Sequence, residues 1–249
     1  MARHLILVLE GPLVSFGREA VDARGPVSDF PAASMLTGLL ANALGWRREW
    51  RERHARLQAR LVFAARLDRG GTRLTDFQTA QLAQSDRGWT TRGAPEGRAG
   101  GAGTYNSPHI RQREYDADKR VTVALRLHEA QEAPTVEDLA AALDAPARPL
   151  FLGRKSCLPS APLLDRLVDA EGLLDVLATS PPPDDAGPFR VLLPLSEAME
   201  RADERRWVTD ARDWVSGVHA GGREVLVRTL PRASIPPAAS LPAQVGTTA

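Results

Sequence analysis

"HLILVLEG" (residues 4–11) is a short aliphatic run closed by a glycine and Pro12. A run of this length, bounded by turn residues, reads as a buried β-strand. The segments after it decide the fold class. "PAASMLTGLLANALG" (31–45) sets Met35, Leu36, Leu39, Leu40 and Ala43 at helical spacing, with Ser34 or the preceding loop as its start and Gly45 as its stop. "EWRERHARLQAR" (49–60) is a second helix, with His54 as a packed histidine on its apolar side. "LVFAARLD" (61–68) and the alternating "RVTVALRL" (120–127) are strands. "TVEDLAAALDA" (135–145) is a helix with a Thr cap and an acidic first turn, and "PLFLG" (149–153) is a last short strand. The order βαββαβ predicts an α+β, ferredoxin-like (RRM/RAMP) domain over 1–163.

Residues 76–118 interrupt that order with many glycines and few aliphatics. An excursion of this length reads as a long β-hairpin arm, or thumb, with a mobile tip. Residues 164–231 read as a small β-rich annex: a helix within "LVDAEGLLDVLAT" (167–179), then strands "FRVLLPLSE" (189–197) and "GREVLVRTLP" (222–231). The Pro/Ala-rich, nearly uncharged 232–249 reads as a disordered tail.

The net charge of +1 hides an asymmetry. Residues 1–128 carry 20 Arg/Lys against 13 Asp/Glu, and residues 129–249 carry 12 against 18. A basic partner surface is therefore expected in the first half. Only Lys119 and Lys155 are lysines. Arginine-rich codon usage explains that bias, yet arginine also suits bidentate phosphate recognition. A single cysteine, Cys157, excludes a disulfide framework and suits the cytoplasm; it reads as a small buried hydrophobe. The apolar start is interrupted by Glu10 and Pro12, which supports neither a signal peptide nor a membrane span. Neither a metal nor another cofactor is expected, because the five histidines show no paired spacing and one cysteine cannot build a zinc knuckle.

Three basic groups could meet RNA. In "SFGREAVDARGP" (15–26) Phe16 could stack a base, and Arg18 and Arg24 could meet phosphates. In "HIRQREYDADKR" (109–120), Arg111, Arg113 and Tyr115 fall two apart and share one strand face. After "PLFLG", Gly153 allows a sharp turn, and Arg154, Lys155 and Ser156 offer donors held at a buried strand end. Such cations contribute little to stability on this reading, so removing Arg154 and Lys155 is expected to leave folding nearly unchanged. The first and third strands lack the aromatics with which sheets of this class stack bases, so loops and arm must do the binding. A rival reading is a metal-independent endoribonuclease using His109, Tyr105 or Tyr115 with Lys119.

"LILVLEGPLVSFG", "DFPAASMLTGLLANALG", "DFQTA", "RQREYDAD", "KRVTVAL" and "PLFLGRKSCLPSAPL", in this order from about residue 4 to about residue 163, resemble the CasD family of type I-E CRISPR Cascade subunits. The likeness continues weakly through "GREVLVRTLP". It implies a RAMP fold with a thumb, and a non-catalytic subunit that caps the crRNA 5′ handle. It also implies contacts with the backbone and large subunits, and target DNA met only indirectly. In related CRISPR subtypes the equivalent subunit processes repeat RNA itself, so the nuclease alternative stays open. Phe16 stands where the family commonly has tryptophan, and Ala33 where it has an arginine before the serine, Ser34.

Overall fold

The computed structural model describes residues 1–18, 23–81, 108–183, 187–197, 204–219 and 221–231. The expected arm tip and the expected disordered tail fall on residues outside these. Among the described residues, nine strands form one sheet. They are β1 (Ala2–Val14), β2 (Arg24–Gly25), β3 (Leu61–Arg69), β4 (Thr72–Ala80), β5 (His109–Leu127), β6 (Leu164–Ala170), β7 (Phe189–Pro194), β8 (Glu204–Val208) and β9 (Arg223–Leu230). The helices are α1 (Ala33–Ala43), α2 (Arg51–Arg60), α3 (Val136–Asp144) and α4 (Leu173–Ala178).

The strand order is β6-β1-β5-β3-β7-β9-β8, with β2 and β4 paired to the outer part of β5. Neighbours along the main path are antiparallel, and only the two-residue β2 runs parallel to its partner. The register sets Leu5 opposite Leu125, Leu7 opposite Val123 and Leu9 opposite Val121. These side chains pack with Leu36 and Leu40 of α1 and Leu139 and Leu143 of α3. The alternate positions Ile6, Ala64 and Ala124 pack with Leu173, Val176 and Leu177 of α4 and with Val191, Leu193 and Leu226. Burial on both faces explains why β1 reads as a continuous aliphatic run rather than an alternating one. It also explains the missing aromatics: the face where a single-layered RNA-binding sheet would stack bases lies under α4.

Helix ends follow local chemistry where the sequence supplies it. Thr135 Oγ1 accepts from the Asp138 amide while Asp138 Oδ2 accepts from the Thr135 amide, closing the expected capping box. Gly45, at φ +72°, ends the turn after α1. The start of α1 is different. Its N-cap, Ala32, has no capping side chain, and the amides of Ala33 and Ser34 donate instead to Oδ2 and the carbonyl of Asp210.

Two expected elements are corrected. Residues 149–153 are not a strand. Leu152 is held by non-sheet bonds, its amide donating to Cys157 O at 2.7 Å and its carbonyl accepting from Ser15 at 3.0 Å. The edge beside β1 is taken instead by β6, which pairs from Ala2↔Ala170 to Leu7↔Leu164 with a bulge between Ile6 and Leu7. The helix expected within 167–179 shortens to α4 for the same reason, since its first residues belong to β6. β7 and β9 arise where strands were read, and they extend the main sheet across β3.

α4 is tied to the sheet by a buried charge network. Arg66, fully buried, donates to Asp68 at 2.5 Å and to the carbonyls of Leu177 and Ser180, while Thr122 donates to the other Asp68 oxygen. Asp68→Ala would strand the guanidinium and should cost about 3–5 kcal/mol in urea unfolding.

His4 is fully buried in β1. Burial pushes its pKa below the ordinary 6.5, a shift opposed by the Ala2 backbone, Glu197 and Asp169 and reinforced by nearby Arg126. The unfolded chain takes up a proton near that ordinary value while the native state resists it. Stability should therefore fall as pH drops below about 6.5, and His4→Leu should flatten that part of the profile measured by urea midpoint.

Candidate nucleic-acid interface

Two chain segments meet backbone to backbone at the end of β1. A Cβ on Gly153, at φ +101°, would lie 1.8 Å from Ser15 O, so only glycine fits. Leu152 and Cys157 are buried beneath the turn, and burial pushes the Cys157 thiol pKa up, as suits a packing residue. On the far side, the Phe16 carbonyl accepts from Ser28 and the Pro26 carbonyl from Arg18, folding 16–18 back on 26–28.

The turn splits its cations. The Arg154 guanidinium lies over the Tyr115 ring at 4.7 Å and donates to Glu114 O at 2.6 Å and Gly25 O at 3.0 Å. It staples the turn to β5 and β2. Lys155 and Ser156 are exposed, and Lys155 has no carboxylate partner among the described residues.

Arg18, Ser34, Arg154 and Lys155 come together along one groove of about 500 Å³, walled by Gly17, Gly153 and α1. Arg24, Arg111 and Arg113 do not join it. They lie at the root of the arm, where Arg24 pairs with Gln112, Arg24 and Arg111 are exposed, and Arg113 lies beside Arg154 against Gly25.

The two aromatics named for the RNA surface, Phe16 for stacking and Tyr115 on the strand face of 109–120, are internal. Phe16 has no exposed surface, and Tyr115 is 8% exposed beneath Arg154. Both are drawn in because Leu36, Leu152 and their neighbours offer a larger apolar contact than solvent does. Lys119, proposed for the nuclease, is also enclosed. It donates to Asp116 at 2.7 Å and Ser28 O at 3.2 Å, and lies over Phe16. Burial lowers its pKa against the opposing pull of Asp116. Tyr105 and the side chain of His109 lie outside the described residues.

Sequence reasoning missed the second wall. Arg212, Trp214 and His219, from the loop after β8, also line the groove. Arg212 lies 5.5 Å over the Trp214 ring and has no carboxylate partner among the described residues. Burial lowers its pKa, and nearby Arg48 adds to that shift. Trp214 in turn packs on His54, which Trp46 meets edge-on. The expected packed histidine is thus part of this wall. One signal was present in sequence: a helix starting at "PAAS" has no capping side chain of its own at Ala32, which demands a partner from elsewhere. Asp210 is that partner, itself held by Arg223 at 2.8–3.0 Å.

A family model for CRISPR-associated protein (Cas_Cas5) matches residues 4–226, nearly the whole described fold. The chain belongs to the CasD/Cas5 family. A curated relative, the CRISPR system Cascade subunit CasD of Escherichia coli (strain K12), is 30% identical over 172 residues, covering 66% of this chain and 70% of that one. Among solved structures, one titled as a Cas protein crystal structure superposes with a TM-score of 0.64 at 30% identity, covering 94% of this chain and 98% of the other. A chain of a CRISPR RNA-guided surveillance complex superposes at 0.65 with 24% identity over 94% of each, a likeness of fold. Both hold to the mixed α/β architecture and its large antiparallel sheet. No helix among the described residues of this Cas5 family member is long and apolar enough to cross a membrane.

The geometry corrects the expectation that both turn cations are dispensable for folding. Arg154→Ala removes two charged hydrogen bonds and a ring contact from a half-buried site and should cost about 2–3 kcal/mol. Lys155→Ala should change stability by less than about 0.5 kcal/mol. Paired urea titrations of the two variants test the split.

Proposed function

We propose that this chain is the non-catalytic subunit of a type I-E Cascade complex that caps the 5′ handle of the crRNA in the cytoplasm. The observation that carries the reading is the groove. Three cations without carboxylate partners among the described residues, Arg18, Lys155 and Arg212, face one channel whose rim at Gly17 and Gly153 presents bare backbone. Side chains of this kind hold a phosphodiester chain, while glycines let it approach closely.

On this reading the order β6-β1-β5-β3, with α1–α3 on one face, is a ferredoxin-like core. β4 and the outer half of β5, paired from Thr72↔Ala117 to Ala80↔His109, are the root of the thumb that separates handle from guide. Phe77 and Ile110 sit on one side of this ribbon, 60% and 45% exposed. These two exposed apolar side chains suit packing against the backbone and large subunits, with target DNA met only through them. Arg24, Arg111 and Arg113 at the arm root would follow the RNA as it leaves the groove, and Ser156 would extend the donor set of the turn.

Binding of handle RNA to the full chain, followed by anisotropy over a salt series, tests the proposal. Lys155→Ala and Arg18→Ala should each weaken binding and reduce the salt slope by about 0.7, the value for one phosphate on a single strand. Repeat RNA should remain intact with and without EDTA. Specific scission that survives EDTA, or unchanged slopes in both variants, would reject the non-catalytic capping role.

A further inference from the structure

The groove supplies cations, but the rings expected at the RNA surface, Phe16 and Tyr115, are buried. Trp214 is already covered by Arg212 and His54. A large ring nevertheless stands free beside it. Trp207, on β8 opposite Glu224, is 72% exposed. Such exposure of an indole has a cost in water unless something else covers it. Nor is the ring loose: a Cβ on Gly222 would lie 2.1 Å from its Nε1 and 2.3 Å from Cε2, so the indole rests directly on a glycine backbone.

Trp207 borders a second cavity of about 210 Å³ together with Phe30 and Leu192. This cavity is smaller than the ~300–1,000 Å³ typical of drug-sized ligand pockets. Its other wall is formed by Gly17, Arg18 and His219, which also line the basic groove. A recess of mixed polarity, with Ser28, Thr209 and Asp210 beside Phe30 and Leu192 and an anchored, solvent-facing indole at its edge, thus opens beside a cation-lined channel, and Arg18 stands on the boundary. The combination matches one nucleotide: the phosphate at Arg18 and the base against the indole.

We propose that Trp207, seated on Gly222, stacks one unpaired nucleobase of a single-stranded RNA whose backbone lies in the adjoining groove. The inference rests on the RNA-capping reading and adds a base-binding position to it. An exposed tryptophan on an edge strand also suits a protein contact, but the Arg18 wall common to recess and groove favours RNA. Of the other rings lining the groove and the recess, Phe30 is buried, Phe151 and Trp214 are half-buried, and the exposed His219 is the one that stands open beside Trp207.

The test measures binding of the full chain to handle RNA by anisotropy for wild type, Trp207→Ala and Trp207→Phe, with circular dichroism checking the fold. Trp207→Ala should weaken binding by about 5- to 150-fold, the range for loss of one stacked base, without changing the salt slope. Trp207→Phe should recover most of that loss. Wild-type affinity in Trp207→Ala overturns the stacking site while leaving the capping role intact, and assigns the indole to a protein contact. Equal losses in both variants also overturn stacking. If the wild-type chain fails to bind handle RNA, both readings fall.

Discussion

Burial of the central strands on both faces is the constraint that shapes this molecule. Leu5, Leu7 and Leu9 face α1 and α3, whereas Ile6, Ala64 and Ala124, with Val191, Leu193 and Leu226 of the same sheet, face α4. A sheet covered in this way offers no open platform, and any ligand must be met at strand ends and edges. The groove accordingly lies where β1 runs out at Val14. There the loop after β1, the turn at 152–157 and the start of α1 converge.

That convergence depends on close approaches that allow little variation. Gly153 touches the Ser15 carbonyl, and Arg154 reaches back to two backbone carbonyls instead of outward to a ligand. Asp210 caps α1 from the opposite end of the sequence and carries with it the loop that brings Arg212 to the groove. Structural and groove-facing charges therefore alternate along the same walls. Arg154 and Asp210 hold the walls, and Arg18, Lys155 and Arg212 face the space between them.

Much of the architecture was legible because it is written locally. The aliphatic run at 4–11, the helical spacing at 31–45, the Thr135 capping box and the alternation at 120–127 each express short-range geometry, and each appears where it was read. The strand at 149–153 failed because its apolar residues are buried by a turn, and apolarity alone does not distinguish a turn from a ladder. Phe16 and Tyr115 failed for a related reason. A ring beside arginines looks available in a sequence, but whether core or solvent receives it depends on residues far along the chain.

The sequence by itself determined the strand and helix order, the long excursion after residue 76, the cations around Gly153 and the family resemblance, since these are properties of short windows. Tertiary structure alone decided which cations are staples and which are free. Arg154 and Lys155 are neighbours of similar charge, yet one lies against Tyr115 and two carbonyls while the other faces the groove. It alone also brought Arg212 and Trp214 to Lys155, and Trp207 to Arg18. Those approaches are set by the pairing of β7, β8 and β9 onto the sheet and by Asp210, whose carboxylate satisfies the Ala33 amide 177 positions away. Long-range satisfaction of backbone donors leaves no trace in a short window of sequence, and it is what assembles this site.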